Sequence, residues 1–347
     1  MFNNSRFIPI IFILLVALFF ALATASLLKG PTSISVTQIW QILTHALSIH
    51  DNSDIIDWQR NIILDIRLPR LIIALFSGAS LALCGLVMQG MFRNPLASPS
   101  VLGVSSGASL GAVIAIYLGA SFISAWAIPL FAFIGAGISL GVVYRIASSR
   151  GQTSIATLLL SGVAMSALNV AAISLVLAIS LSNWDVARMI IYWTMGGLDG
   201  RTWDHVFIIL PIVISGFIFL LFYSKQLDLL LLGEQHALSV GVDVRRTRRN
   251  LLIISTAMVG ASVSVVGGIG FIGLVVPHIL RLLLGPSHRY LLPASLLGGA
   301  IALLSADLFL NTAFSDQAIP LGVVTAALGA PFFLFLLVKQ RVASEYL

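Results

Sequence analysis

The sequence predicts an all-α integral membrane protein, a single transmembrane domain over residues 1–347 with about ten spans and a weak inverted repeat. Three observations carry this. Of the 347 residues, 59% are hydrophobic and 9% charged, and the mean hydropathy is +1.04. Polar side chains are therefore too few to coat a water-soluble globule. Apolar runs of spanning length recur along the chain, and Lys and Arg gather in alternate breaks between them.

The first run, Phe7–Leu28, holds 22 residues without a charge and contains Ala23-Thr24-Ala25 near its end. That ending fits a signal-peptide cleavage site. The run is longer than an h-region of about 7–15 residues and reaches the ~20 needed to span, which favours a retained first helix. The next spans fall at 68–91, 98–118, 124–145, 153–181, 203–224, 249–267, 271–285, 291–311 and 319–338. Gly267, Gly268, Gly270 and Gly273 crowd the turn between the seventh and eighth, which predicts a tight hairpin with close helix approach.

Ten spans place both termini on one side. With that side cytoplasmic, the inner segments hold 13 of the 19 Lys and Arg residues, including Arg93, Arg145, Lys225, Arg245, Arg246, Arg248 and Arg249. The bias supports a multi-pass protein of the inner (plasma) membrane with both termini cytoplasmic. The net charge of +6 sits in these loops rather than in a stripe interleaved with aromatics, so it points to topology and lipid, not nucleic acid. One cysteine, Cys84, excludes an intramolecular disulfide, and no ligand set for a metal stands out.

The second and seventh spans align at an offset of 182. Gly78-Ala79-Ser80 matches Gly260-Ala261-Ser262, Gly85 matches Gly267, Pro95 matches Pro277 and Arg67 matches Arg249. Five spans apart, the two copies cross the membrane in opposite directions, as in transporters built from inverted repeats. Chance matching of Gly and Ala is the simpler account of the small residues; the Pro and Arg matches argue against it.

Several blocks resemble one family. Arg67-Leu-Pro-Arg70, Gln89, Arg93-Asn-Pro-Leu-Ala-Ser-Pro99, Leu102-Gly-Val-Ser-Ser-Gly-Ala108, Tyr192-Trp-Thr-Met-Gly-Gly197, Trp203, Leu232-Gly-Glu234, Leu238-Ser-Val-Gly241, Phe271-Ile-Gly-Leu-Val-Val-Pro-His278, Ala306-Asp307, Pro320-Leu-Gly-Val-Val-Thr325 and Gly329-Ala-Pro331 are similar to FecCD-type permeases of ABC importers. The resemblance implies a transport subunit for an iron-siderophore, haem or vitamin B12, with no catalytic residues. Its implied partners are two ATPase subunits carrying ATP and Mg, a substrate-binding protein and a second permease copy, as a homodimer. The chain has no Gly-Lys dipeptide and hence no phosphate-binding P-loop, so it binds no nucleotide in that way.

The segment 225–248 is long for a helix connection and is amphipathic. The resemblance implies that it couples to the ATPase through Leu232, Gly233, Glu234, Ala237 and Gly241, with the two glycines as helix stops; a solvated basic loop is the plainer alternative. Arg67 and Arg70 lie at the external edge of the second span, against the positive-inside trend. The resemblance implies docking to a binding protein there, while headgroup snorkelling remains the alternative. Thr153, Ser154 and Thr157 fall near the expected inner gate. Two departures stand out: Asn311 where relatives carry Arg, and Ala318 where they carry Glu. Asp307 is either functional or a cap on broken backbone, and His278, Arg281, His288 and Arg289 read as ATPase contacts.

An iron chelate is the leading cargo and cobalamin the alternative within the family. An ion-driven transporter would need paired midplane acids, and an intramembrane enzyme a nucleophile with its base or a metal motif; neither pattern is present.

Overall fold

The computed structural model describes residues 7–30, 32, 34–46, 57–124, 126–149, 152–314 and 317–345. Its helices begin with α1 (Ile8–Leu28), α2 (Val36–Ala46), α3 (Asp57–Asn61), α4 (Leu68–Phe92), α5 (Val104–Tyr117) and α6 (Ala127–Ala147). They continue with α7 (Ile155–Ser180), α8 (Trp184–Met195), α9 (Trp203–Phe222), α10 (Ser224–Leu232) and α11 (Glu234–Ser239). The last are α12 (Val244–Val266), α13 (Ile272–Leu284), α14 (His288–Ala313) and α15 (Leu321–Glu345).

Ten of these coincide with the expected spans. Seven are long and apolar enough to cross a bilayer unaided, the second of them running from Asp57 through a π-helical turn at Ile62–Arg67 into α4. Three shorter apolar helices, α5, α13 and the Leu321–Phe335 part of α15, complete the set. The α2, α8, α10 and α11 helices lie between spans. Among the described residues the one strand pair is a two-residue hairpin, β1 (Ser148–Ser149) with β2 (Gln152–Thr153), joining α6 to α7.

Local chemistry sets several ends. Pro69 follows the π-helical turn at Ile62–Arg67, and Arg93 ends α4 in a left-handed conformation at φ 50°. Ser154 caps α7 by accepting from the Thr157 amide, and Asp243 caps α12 by accepting from the Arg246 amide.

The helix α4 is the axle of the bundle, packed against α9, α12, α13 and α14. Lipid supplies no hydrophobic force between helices, so close backbone approach at small residues must hold them. A Cβ at Gly78 would sit 2.2 Å from the Gly299 carbonyl oxygen of α14, and one at Gly85 would sit 1.6 Å from that of Gly273 in α13. Hydroxyls reinforce the crossing with α12. Ser80 Oγ donates to the Met258 carbonyl at 2.9 Å, and Ser262 Oγ donates to that of Ser77 at 3.5 Å.

Ser80 and Ser262 are equivalent positions of the repeat, and each reaches across to the other copy. The packing partners exchange in the same way: α4 lies on α14 and α13, while α12 lies on α6 and α5. The second span thus meets the ninth and eighth, as the seventh meets the fourth and third.

The expected hairpin between the seventh and eighth spans takes another form. The α12 helix ends at Gly267 (φ 72°), and α13 starts after Phe271 (φ 66°) beside Leu81 and Gly85, well down the length of α4. The close approach predicted by the glycines is therefore made by Gly273 to α4 and by Gly267 and Gly268 to the Trp193 and Thr194 carbonyls of α8, rather than back onto α12. With 13 residues, α13 is about 20 Å long, short of the ~30 Å hydrocarbon core.

These contacts make a prediction. Gly85→Val forces a side chain into the α13 backbone and should cost at least about 1–3 kcal/mol. Thermal unfolding in detergent should show it as a lowered Tm, while Gly197→Ala, with nothing within 4 Å of its added carbon, should leave the Tm unchanged.

Candidate functional site

At one end of the bundle, α10 and α11 meet at Gly233, whose φ of 121° no L side chain adopts readily, and Gly241 follows α11 at φ 86°. Both glycines end helices, as expected from the sequence. The segment 225–248 is thus two short helices and the first residues of α12, not an open loop. Ala237 is fully buried and anchors α11. Leu232, Leu238 and Val240 are 68%, 58% and 52% exposed. Lying between membrane-spanning helices, they form an apolar surface beside charged groups.

Two polar ties hold this element to the spans. Glu234 pairs with Arg248, which is buried in the first turns of α12. Asp228 of α10 accepts from the His288 backbone amide at 2.8 Å and lies 2.6 Å from its Nδ1, at the start of α14. Burial pushes the Asp228 carboxyl up, but hydrogen bonds from His288 outweigh it and hold the group below the usual carboxylate range. His288 is fully buried against Gly90 of α4. The reading of His288 as an ATPase contact is thereby corrected: its ring fastens α10 to α4 and α14.

At the opposite end of the bundle the two arginines are claimed by groups of the chain itself. Arg67 is 8% exposed. Its Nη1 donates to the Leu27 carbonyl at 2.5 Å and to that of Leu28 at 3.2 Å, and its Nη2 donates to that of Thr32 at 2.5 Å, capping the end of α1. Arg70 grips Asp307: Nη2 donates to Oδ1 at 2.7 Å and Nε donates to both carboxylate oxygens at 3.1 Å. Its Nη1 reaches Asp199 at 2.6 Å. Free external charges at Arg67 and Arg70 are therefore not what the fold presents, because peptide carbonyls and a 1%-exposed carboxylate already claim them.

Asp307 is neither alone nor a backbone cap. It also accepts from Asn311 Nδ2 at 3.2 Å, so Asn311 completes this network. Asp199 was missed in the sequence: a lone acid in a polar turn carries no local pattern, and only the fold sets it beside Arg70.

Three motifs distant in sequence converge nearby. The Gly197 amide donates to the Val266 carbonyl at 2.8 Å, and a Cβ at Gly322 would sit 2.1 Å from the Met195 carbonyl and 2.4 Å from that of Gly268. Beside this junction lies a cavity of about 220 Å³ lined by Tyr192, Trp193, Asp199, Arg201, Ala318 and Pro320. At the start of α7, Ser154 and Thr157 are exposed and bonded to each other as a helix cap. Thr153 lies in β2, and its side chain falls outside the described residues. Of the seven long spans, α7 is the least enclosed after α1, burying only Leu158, Gly162, Asn169 and Ser180.

A bundle with an internally paired charge at one end and paired short helices at the other is matched by the family model described as the FecCD transport family, over residues 13–339. The chain belongs to the FecCD transport family. Among its relatives, the cobalamin import system permease protein BtuC of Halobacterium salinarum is 43% identical over 303 residues, covering 87% of this chain and 80% of that one. The hemin transport system permease protein HmuU of Yersinia pestis is 37% identical, covering 95% of both chains. A solved inward-facing transporter described as of the metal-chelate ABC type superposes with a TM-score of 0.84 at 33% identity, over 95% of this chain and 99% of that one. This FecCD member is the membrane-spanning permease subunit of an ABC importer.

The buried pair of this FecCD permease carries a measurable cost. Asp307→Ala leaves the partly buried Arg70 guanidinium with only the exposed Asp199 as partner and should destabilise the protein by about 1–3 kcal/mol, whereas Arg70→Met with Asp307→Leu should recover most of that. Unfolding midpoints of the solubilised variants separate the two.

Proposed function

We propose that this permease moves a bulky iron chelate, a ferric siderophore or haem, from an external binding protein to the cytoplasm. Energy comes from two separate ATPase subunits that bind ATP and Mg. The observation that carries the ATP-driven reading is the inner pair of short helices. Leu232, Leu238 and Val240 expose apolar area on an element pinned to α12 and α14 by Glu234–Arg248 and Asp228–His288. An apolar patch ringed by polar groups suits a protein partner, and the two ties would pass that partner's motion into the spans.

Support for the cargo comes from relatives. The haem permease of Yersinia pestis aligns over 95% of both chains, and the solved metal-chelate type transporter covers 95% of this one. Cobalamin is the second reading, favoured by 43% identity to the halobacterial permease. All three cargoes are large metal chelates. The weakly enclosed α7 supports a homodimer in which two copies frame the pathway, with Ser154 and Thr157 at its inner end. The outer cavity, with Tyr192 and Asp199 on its wall, would face the binding protein. The distribution of basic residues supports a cytoplasmic position for both termini.

Two outcomes test this. Leu232→Glu or Gly233→Val should release the co-expressed ATPase on purification while the permease stays inserted; undiminished co-purification counts against the coupling role. In proteoliposomes holding permease, ATPase and binding protein, haem or a ferric siderophore should raise ATP turnover several-fold. Stimulation by cobalamin alone would shift the cargo to the second reading.

A further inference from the structure

A groove of about 460 Å³ runs between α6 and α12, apart from the outer cavity, and its Arg249 end adjoins the coupling helices through Arg248 and Glu234. Its floor is made by Gly137 and Gly141, where an added Cβ would meet nothing within 4 Å. Phe133, Leu140, Leu252 and Ile253 form its walls, and Tyr144 and Arg249 close one end. The two glycines are thus not used for packing inside the chain, unlike those of α4. They leave a channel open on the membrane face.

The dimensions are those of one leaflet. From Phe133 to Tyr144 is about 16 Å along α6, and from Arg249 to Ala257 about 12 Å along α12. Half of a hydrocarbon core is roughly 15 Å. The closed end bearing Tyr144 and Arg249 therefore lies at the headgroup level, and the other end near the midplane.

Charge continues the groove into the headgroup zone. Arg245 and Arg246 stand one turn before Arg249, on the stripe that Leu252, Ile253 and Thr256 prolong. All three arginines are exposed, and among the described residues none is paired with a carboxylate. A lipid-facing apolar slot ending in three cations and a phenol matches an anionic phospholipid in chemistry and length.

We propose that the α6–α12 groove is a specific site for an anionic phospholipid, with one acyl chain on Gly137 and Gly141 and the phosphate held by Arg249, aided by Arg245, Arg246 and the Tyr144 hydroxyl. The site steadies the end of α12 that receives the Glu234–Arg248 tie.

The full-length permease is purified from membranes and equilibrated in mixed micelles with equal amounts of phosphatidylglycerol and phosphatidylcholine. Lipid retained after gel filtration is then quantified by mass spectrometry. The wild type should keep phosphatidylglycerol enriched about fivefold or more over phosphatidylcholine. Arg245→Gln with Arg249→Gln should abolish that preference, and Gly137→Leu with Gly141→Leu, whose side chains enter open space, should reduce retained lipid to the level of a random surface patch. Equal retention of the two lipids by the wild type, or an unchanged preference in either variant, overturns the proposal. So does thiol cross-linking of two copies through Ile253→Cys, which would make this face an interface between subunits.

Discussion

Backbone-to-backbone contact around α4 is the constraint on which the remaining architecture depends. In lipid, Leu against Leu is no better than Leu against an acyl chain, so the bundle needs places where helices come nearer than side chains permit. Gly78 against Gly299 and Gly85 against Gly273 are such places. Hydroxyls of Ser80 and Ser262 then bond across to carbonyls of the facing helix. Two of the glycines and both serines belong to the repeat, so the same residues that relate the halves also join them.

The charged clasps follow the complementary rule that a charge taken out of water needs a partner. Arg67 satisfies carbonyls at the end of α1, and Arg70 neutralises Asp307. At the opposite end, Asp228 ties the start of α14 to α10. Each pair joins residues far apart in sequence, so the ends of the bundle are clasped while its middle is held by glycine.

The spans were legible because spanning length and uninterrupted apolarity are local properties: all ten appear, and even the glycines ending α10 and following α11 were readable from their positions. The inverted repeat was readable as matched residues, and its physical meaning appeared only as exchanged packing. What the sequence concealed was pairing. Nothing local marks Asp199 as a partner for Arg70, and Arg67 against the positive-inside trend reads as an external charge until the carbonyls of Leu27, Leu28 and Thr32 are placed beside it. The path after Gly267 was misjudged for the same reason, since whether a glycine-rich turn folds back or departs depends on which neighbour accepts the next helix.

The shortness of α13 bears on how the protein is made. A stretch of 13 apolar residues falls below the length that partitions into a bilayer on its own, and the non-helical 267–271 before it exposes peptide groups that lipid does not tolerate. Entry of this piece therefore waits on α4 and α14, whose glycines cradle it, and synthesis of the ninth span must precede stable seating of the eighth. Biogenesis of this chain cannot proceed strictly helix by helix from its beginning.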